Sequence, residues 1–167
     1  MFNNGAHWGN NSNANWNVAV SGGGGGTQVY RIEARHSGRV LEVANASSTN
    51  GANVQQRAWS GAANQQWRLE DIGNGYRRLV NLASGKCLDV AGVSTANGAN
   101  IQQWDYVGGQ NQQWLVRDAG NGYVWLEARH SGKAIDIQNA STANGGNAHQ
   151  WSYVGAQNQQ WRLIPVQ

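Results

Sequence analysis

Apolar and polar residues alternate along this chain in short runs, and no window carries the three-and-four spacing of a helix face. Leu41 and Val43 flank Glu42, Leu88 and Val90 flank Asp89, and Ile135 and Ile137 flank Asp136. Residues two apart lie on one side of a strand, so each trio predicts a strand with an apolar face and an acid on the other side. Val54, Ile101 and Ala148 mark a second set of strands. Trp67-Arg68-Leu69, Trp114-Leu115-Val116 and Trp161-Arg162-Leu163 mark a third, and Ile32, Leu79 and Leu126 mark the strands that open each set. Ser37-Gly38, Ser84-Gly85 and Ser131-Gly132 read as hairpin turns, while Gly73-Asn74-Gly75 and Gly120-Asn121-Gly122 close one set and open the next.

All these marks are in register. Ala63-Asn64-Gln65-Gln66-Trp67, Gln110-Asn111-Gln112-Gln113-Trp114 and Gln157-Asn158-Gln159-Gln160-Trp161 recur at a spacing of 47 residues. The chain thus holds three copies of a four-strand unit, at 28–74, 75–121 and 122–167. One such unit cannot bury its own apolar face. Three units around a pseudo-threefold axis can, and the expected architecture is an all-β β-trefoil of twelve strands. A propeller needs at least four blades and a solenoid usually carries distinct caps, so both fit less well. Trp67, Trp114 and Trp161 are invariant across the copies and alternate with apolar residues, which assigns them to the core.

Ahead of the repeats, residues 1–20 are rich in Asn and end in the strand-like Asn15-Trp16-Asn17-Val18-Ala19-Val20. Residues 21–27, with the five glycines Gly22 to Gly26, read as a flexible linker. Two readings of 1–20 stand side by side, the tail of an upstream domain and a disordered leader. The first residues lack the charged and apolar regions of a secretion signal, and the chain is expected to be a piece of something longer.

Composition narrows the function. Charged residues make up 13% of the 167, yet nine Trp are present, a balance foreign to disordered chains. The net charge of +3 is scattered, its longest run being Arg77-Arg78, so no nucleic-acid partner is expected. No apolar run approaches a membrane span, so no membrane insertion is expected. A single cysteine, Cys87, excludes an internal disulfide and a cysteine-based zinc site. His7, His36, His130 and His149 have no metal-ligand spacing, so neither a metal nor a cofactor is expected.

Gly85-Lys86-Cys87-Leu88-Asp89-Val90, then Asn97-Gly98-Ala99-Asn100-Ile101-Gln102-Gln103-Trp104, then Asn111-Gln112-Gln113-Trp114 resembles the ricin-type β-trefoil lectins, and within them the family 13 carbohydrate-binding modules most. The resemblance covers residues 28–167. It implies one shallow sugar pocket per repeat: an Asp accepts two sugar hydroxyls, an aromatic on the next strand stacks on the ring, and a Gln and an Asn complete the rim. The second repeat has the whole set in Asp89, Gln102, Trp104, Asn111 and Gln112. The third has Asp136, Trp151, Asn158 and Gln159, with His149 at the Gln position. The first has Glu42, Gln55, Asn64 and Gln65, but Arg57 where the aromatic belongs.

The residue types suit the chemistry without the resemblance. Asp89 points away from Leu88 and Val90, and a carboxylate on the outward face can accept two neighbouring hydroxyls. Trp104 shares a strand face with Gln102 and offers a flat apolar platform to the C–H side of a pyranose. In the first repeat, Glu42 and Arg57 are expected to pair and fill their own pocket, which leaves sugar binding to repeats two and three. The resemblance also implies a partner for Cys87 two residues past the stacking aromatic. That position holds Tyr106, with Trp59 and Tyr153 as its counterparts, so Cys87 is expected to be a buried, inert thiol.

Glycoside hydrolysis needs two facing carboxylates at a defined separation, and Asp89 and Asp136 belong to different repeats. The chain is therefore expected to be a non-catalytic monomer. The leading expectation is a module that anchors a secreted polysaccharide-degrading enzyme to galactose- or xylose-containing polysaccharide. The alternatives are a free-standing galactoside-binding lectin or toxin-associated adhesin, and a trefoil that has kept the fold but lost sugar binding.

Overall fold

The computed structural model describes residues 28–167; the Asn-rich stretch at 1–20, with its strand-like end at 15–20, and the glycine-rich linker at 21–27 lie outside the described residues. The first repeat forms β1 (Val29–Ala34), β2 (Val40–Val43), β3 (Val54–Arg57) and β4 (Trp67–Gly73). The second forms β5 (Tyr76–Asn81), β6 (Cys87–Val90), β7 (Ile101–Trp104) and β8 (Trp114–Gly120). The third forms β9 (Tyr123–Ala128), β10 (Ala134–Ile137), β11 (Ala148–Trp151) and β12 (Trp161–Pro165). This is the expected β-trefoil.

The first and fourth strands of the repeats pair antiparallel in a closed ring, β1–β4–β5–β8–β9–β12 and back to β1. Closure leaves this barrel without an unpaired edge. The second and third strands of each repeat form a hairpin, β2–β3, β6–β7 and β10–β11, and the three hairpins cover one end.

Inside the barrel, Trp67, Trp114 and Trp161 are fully buried with Ile32, Leu79, Leu126 and the apolar residues of the hairpins. A buried indole N–H needs an acceptor. Each finds one in its own repeat, at the carbonyl of Leu41 (3.1 Å), Leu88 (3.2 Å) or Ile135 (3.3 Å). The Trp therefore ties the fourth strand of a repeat to its second strand while filling the common core.

The repeats are joined to one another by amides. Gln56, Gln103 and Gln150 are fully buried, and each reaches into a neighbouring repeat. Gln103 donates to the carbonyls of Ser47 and Thr49 in repeat one, both at 2.9 Å. Gln150 donates to Ser94 and Ala96 in repeat two, and Gln56 to Ser141 and Ala143 in repeat three. The carbonyl oxygens of the same glutamines accept from Ser84, Ser131 and Ser37 within their own repeats. Asn53, Asn100 and Asn147 complete the circuit: Asn53 donates to Asn147, Asn147 to Asn100, and Asn100 to Asn53, at 2.9–3.0 Å. Three side chains that each give one bond and take one form a closed ring.

Truncating Gln103 to alanine removes the acceptor of the Ser84 hydroxyl and the donor to the Ser47 and Thr49 carbonyls, at a cost of about 2–4 kcal/mol. Urea unfolding of Gln103→Ala is expected to show that loss, with Gln66→Ala, whose bond to the Gly61 carbonyl is exposed, staying within about 0.5 kcal/mol of the parent. Equal midpoints for the two variants would refute this role for Gln103.

Candidate functional site

Each hairpin meets the short 3-10 turn that precedes the fourth strand, and a cavity opens between them. In the second repeat the floor is Asp89, paired across the hairpin with Gln102. Asp89 does point away from Leu88 and Val90, but it is not on an outward surface: the turn at Gln110–Gln112 covers it, leaving it 4% exposed. Its Oδ1 accepts from Gln102 Nε2 at 3.0 Å, and its Oδ2 accepts from Gln112 Nε2 (3.0 Å) and Asn111 Nδ2 (3.2 Å). Burial raises the Asp89 carboxyl above its ordinary pKa, and the amide bonds only partly offset this.

Trp104 stands at the rim, 39% exposed, and Val107 faces the same cavity of about 440 Å³. The loop of repeat one backs this indole. Gly51 sits at φ +88°, a backbone that favours glycine, with its Cβ direction 3.7 Å from the Trp104 ring, in van der Waals contact. The stacking platform of one repeat is thus set by its neighbour.

The third repeat repeats the plan with one exchange. Asp136 and His149 face each other across the hairpin, and His149 Nε2 lies 2.7 Å from Asp136 Oδ1. No amide reaches Asp136: Gln159 bonds instead to the Ser152 carbonyl, and Asn158 to that of Ile137. Trp151 is 41% exposed, its ring centroid 5.5 Å from that of His149, over a cavity of about 230 Å³ shared with Val154.

In the first repeat the expected blockage is absent. Glu42 accepts from Gln55 (2.9 Å) and Gln65 (3.1 Å), and no hydrogen bond or ion pair joins it to Arg57. The two amides place one hydrogen bond on each Glu42 oxygen, which leaves acceptor capacity, while Arg57, exposed at the end of β3, lines the same cavity. A cavity of about 300 Å³ remains between them.

Gln65, Gln112 and Gln159 are not rim residues. They are buried, and each clamps the segment that forms the far wall: Gln112 donates to the Asp105 carbonyl and accepts from the Val107 N–H, with matching bonds at Gln65 and Gln159. Asn64, Asn111 and Asn158 likewise hold the carbonyls of Val43, Val90 and Ile137.

Sequence reasoning missed the lip opposite the aromatic. Asn45, Gly92 and Asn139, two residues beyond the hairpin strand, adopt φ of 58°, 67° and 57° and line the three cavities. The signal was present, since Asn and Gly are the residues that enter this region most readily. Val93 follows at φ 52°, a costly conformation for a β-branched residue.

The aromatics that replace a disulfide partner are held from the barrel strands. Arg31 lies over Trp59, Arg78 over Tyr106, and Trp125 stacks on Tyr153 at 4.1 Å. Cys87 itself is buried and unpaired.

Residues 12–104 and 110–167 match the family described as ricin-type beta-trefoil lectin domain-like. The chain belongs to this family. No curated protein matches it in sequence. Among solved structures it is similar to the designed threefold-symmetric protein ThreeFoil, with 56% identity and a TM-score of 0.82, over 83% of this chain and 99% of that one. It is also similar to 1,3Gal43A, an exo-β-1,3-galactanase from Clostridium thermocellum, with 41% identity and a TM-score of 0.83. That match covers 85% of this chain but 31% of the galactanase. The Rhizoctonia solani agglutinin shares the fold at 22% identity and a TM-score of 0.77, over 84% of this chain and 96% of that one. The fold of this family is a carbohydrate-binding lectin fold.

Burial pushes the Cys87 thiol of this lectin domain up to about 11, the Arg78 guanidinium offsetting only part of the shift. Two units above its ordinary value leave about 100-fold less thiolate at pH 8. Iodoacetamide is therefore expected to label Cys87 in guanidinium-unfolded protein and to leave the folded protein unlabelled over the same period, as read by intact mass.

Proposed function

We propose that this lectin domain binds galactose-containing saccharides in its own right, through the second and third pockets. The observation that carries the reading is the pairing, in both, of a buried carboxylate with an exposed Trp at the rim. A pyranose has two unlike sides. Its hydroxyls donate to Asp89 or Asp136, and its C–H face lies on Trp104 or Trp151. Gln102 and Asn111 position Asp89 and leave acceptor capacity for ligand; in the third pocket His149 takes one oxygen of Asp136, and no described group bonds the other. Gln112 and Gln159 hold the wall by their backbone bonds, and Asn158 and Gln159 also line the third cavity. The family description supports a carbohydrate ligand, and the galactanase relative favours one that contains galactose.

Shallow pockets bury little of a sugar, so each binds weakly, on the order of millimolar to sub-millimolar. Two pockets on one rigid body raise the effective concentration of the second event on a polymer. A second reading, favoured by the 41% identity to part of a galactanase, is a family 13 module that anchors a secreted enzyme to galactan. The pocket chemistry is the same in both readings; haemagglutination by the isolated chain favours the first.

Asp89→Ala and Asp136→Ala are each expected to weaken retention on a galactan column, and the double variant to abolish it. Unchanged retention of the double variant would instead indicate a trefoil without sugar binding. A further outcome follows from the raised pKa of Asp89. Only the ionised carboxylate accepts two hydroxyls, and it takes its proton at a higher pH than an ordinary aspartate. In an Asp136→Ala background, galactoside affinity measured by calorimetry is expected to fall with acidification before pH reaches the usual aspartate range, near 3.8.

A further inference from the structure

We infer that the first pocket takes an acidic sugar, a pyranose bearing a carboxylate or sulfate, with its hydroxyls on Glu42 and its anion on Arg57. The inference rests on the carbohydrate-binding reading of the other two pockets and adds a ligand class for the first. The pocket is open, at about 300 Å³, and both of its apolar walls are replaced. Arg57 stands where Trp104 and Trp151 stand, and Ser60 where Val107 and Val154 stand. A neutral pyranose loses its stacking platform there, so the pocket is unsuited to the ligand of its neighbours.

What remains is complementary to a ligand with hydroxyls at one end and negative charge at the other. Glu42 lies on the floor with its carboxylate held by Gln55 and Gln65, as Asp89 is held by Gln102 and Gln112. The acceptor geometry of the second pocket is therefore retained. Arg57 sits two residues beyond Gln55 on the same strand face, about 7 Å along β3. That offset is wide enough for a sugar ring between the two groups and keeps the ligand anion at the rim, away from Glu42. The Arg57 guanidinium has no partner among the described residues, and its planar fork matches a carboxylate or sulfate in two parallel bonds. The Arg-for-Trp exchange thus replaces C–H stacking by charge recognition, on an otherwise unchanged frame.

The test is a ¹⁵N NMR titration of the full chain with methyl galactoside, galacturonate and galactose 6-sulfate. The neutral sugar is expected to shift amides around Trp104 and Trp151. At least one acidic sugar is expected to shift those from Gln55 to Ser60, weakening with added salt, and the stronger of the two identifies the anion. Arg57→Gln is expected to weaken the acidic sugar about tenfold or more at this pocket and to leave the other two unchanged. Arg57 is exposed, so the variant folds, and the unchanged pockets report this directly. Arg57→Trp is expected to bring the neutral sugar into the first pocket. Silence of Gln55–Ser60 towards both acidic sugars, or equal affinity in Arg57→Gln, overturns the inference. Silence of all three pockets towards every sugar overturns the carbohydrate reading itself.

Discussion

Three fully buried glutamines hold the architecture together, because none can satisfy its amide within its own repeat. Gln56, Gln103 and Gln150 each bring two donors into the interior and find their acceptors on the loop of a neighbouring repeat. A buried amide without partners is costly, and one with all its partners becomes a specific joint. Removing one repeat would strand donors on one neighbour and carbonyls on the other. The asparagine ring at Asn53, Asn100 and Asn147 makes the same demand in its simplest form, since a ring of single donors closes only when all three members are present. The apolar core supplies the driving force, and these amides specify that three units close.

The pockets inherit this dependence. Trp104 is carried by repeat two but backed by Gly51 of repeat one, and Trp151 of repeat three lies against Gly98 of repeat two. Asn50 also bonds Asp105 beside Trp104, both through its side-chain amide and to the backbone N–H. The loop that accepts the buried glutamine is thus the loop that positions the neighbouring platform. Binding surface and inter-repeat joint are two sides of one segment, which holds an exposed indole in place without burying it.

Against this constant frame, differences among the repeats stand out. The Gln-to-wall clamp is the same in all three, and so is the Asn bond to the strand carbonyl. Variation is concentrated where a ligand would lie: Arg57, Trp104 and Trp151 at the rim, Gln55, Gln102 and His149 beside the acid, Ser60, Val107 and Val154 on the wall. A clamp that works from behind lets the exposed face change without cost to the scaffold. This separation explains how one fold carries three chemically distinct cavities.

The strands, their order and the three core Trp were legible in the chain, because period-two alternation and a 47-residue repeat are properties of linear sequence; the grouping of Asp89 with Gln102, Trp104 and Asn111 was legible through the resemblance to the ricin-type lectins. The burial of Cys87 was legible too, from the aromatic that stands at its partner position in each repeat. Other features were not. Glu42 and Arg57 read as an ion pair by charge alone, yet Gln55 and Gln65 satisfy the acid first because both lie nearer on the fold. Asp89 read as outward-facing by alternation, but a turn more than twenty residues later covers it and raises its pKa. Which residues share a strand face, and how many times the unit recurs, follow from the linear chain alone. Only the tertiary structure decided how deep each carboxylate lies, which cavities stay open and which neighbour supports each platform, because those depend on contacts between repeats that no local pattern records.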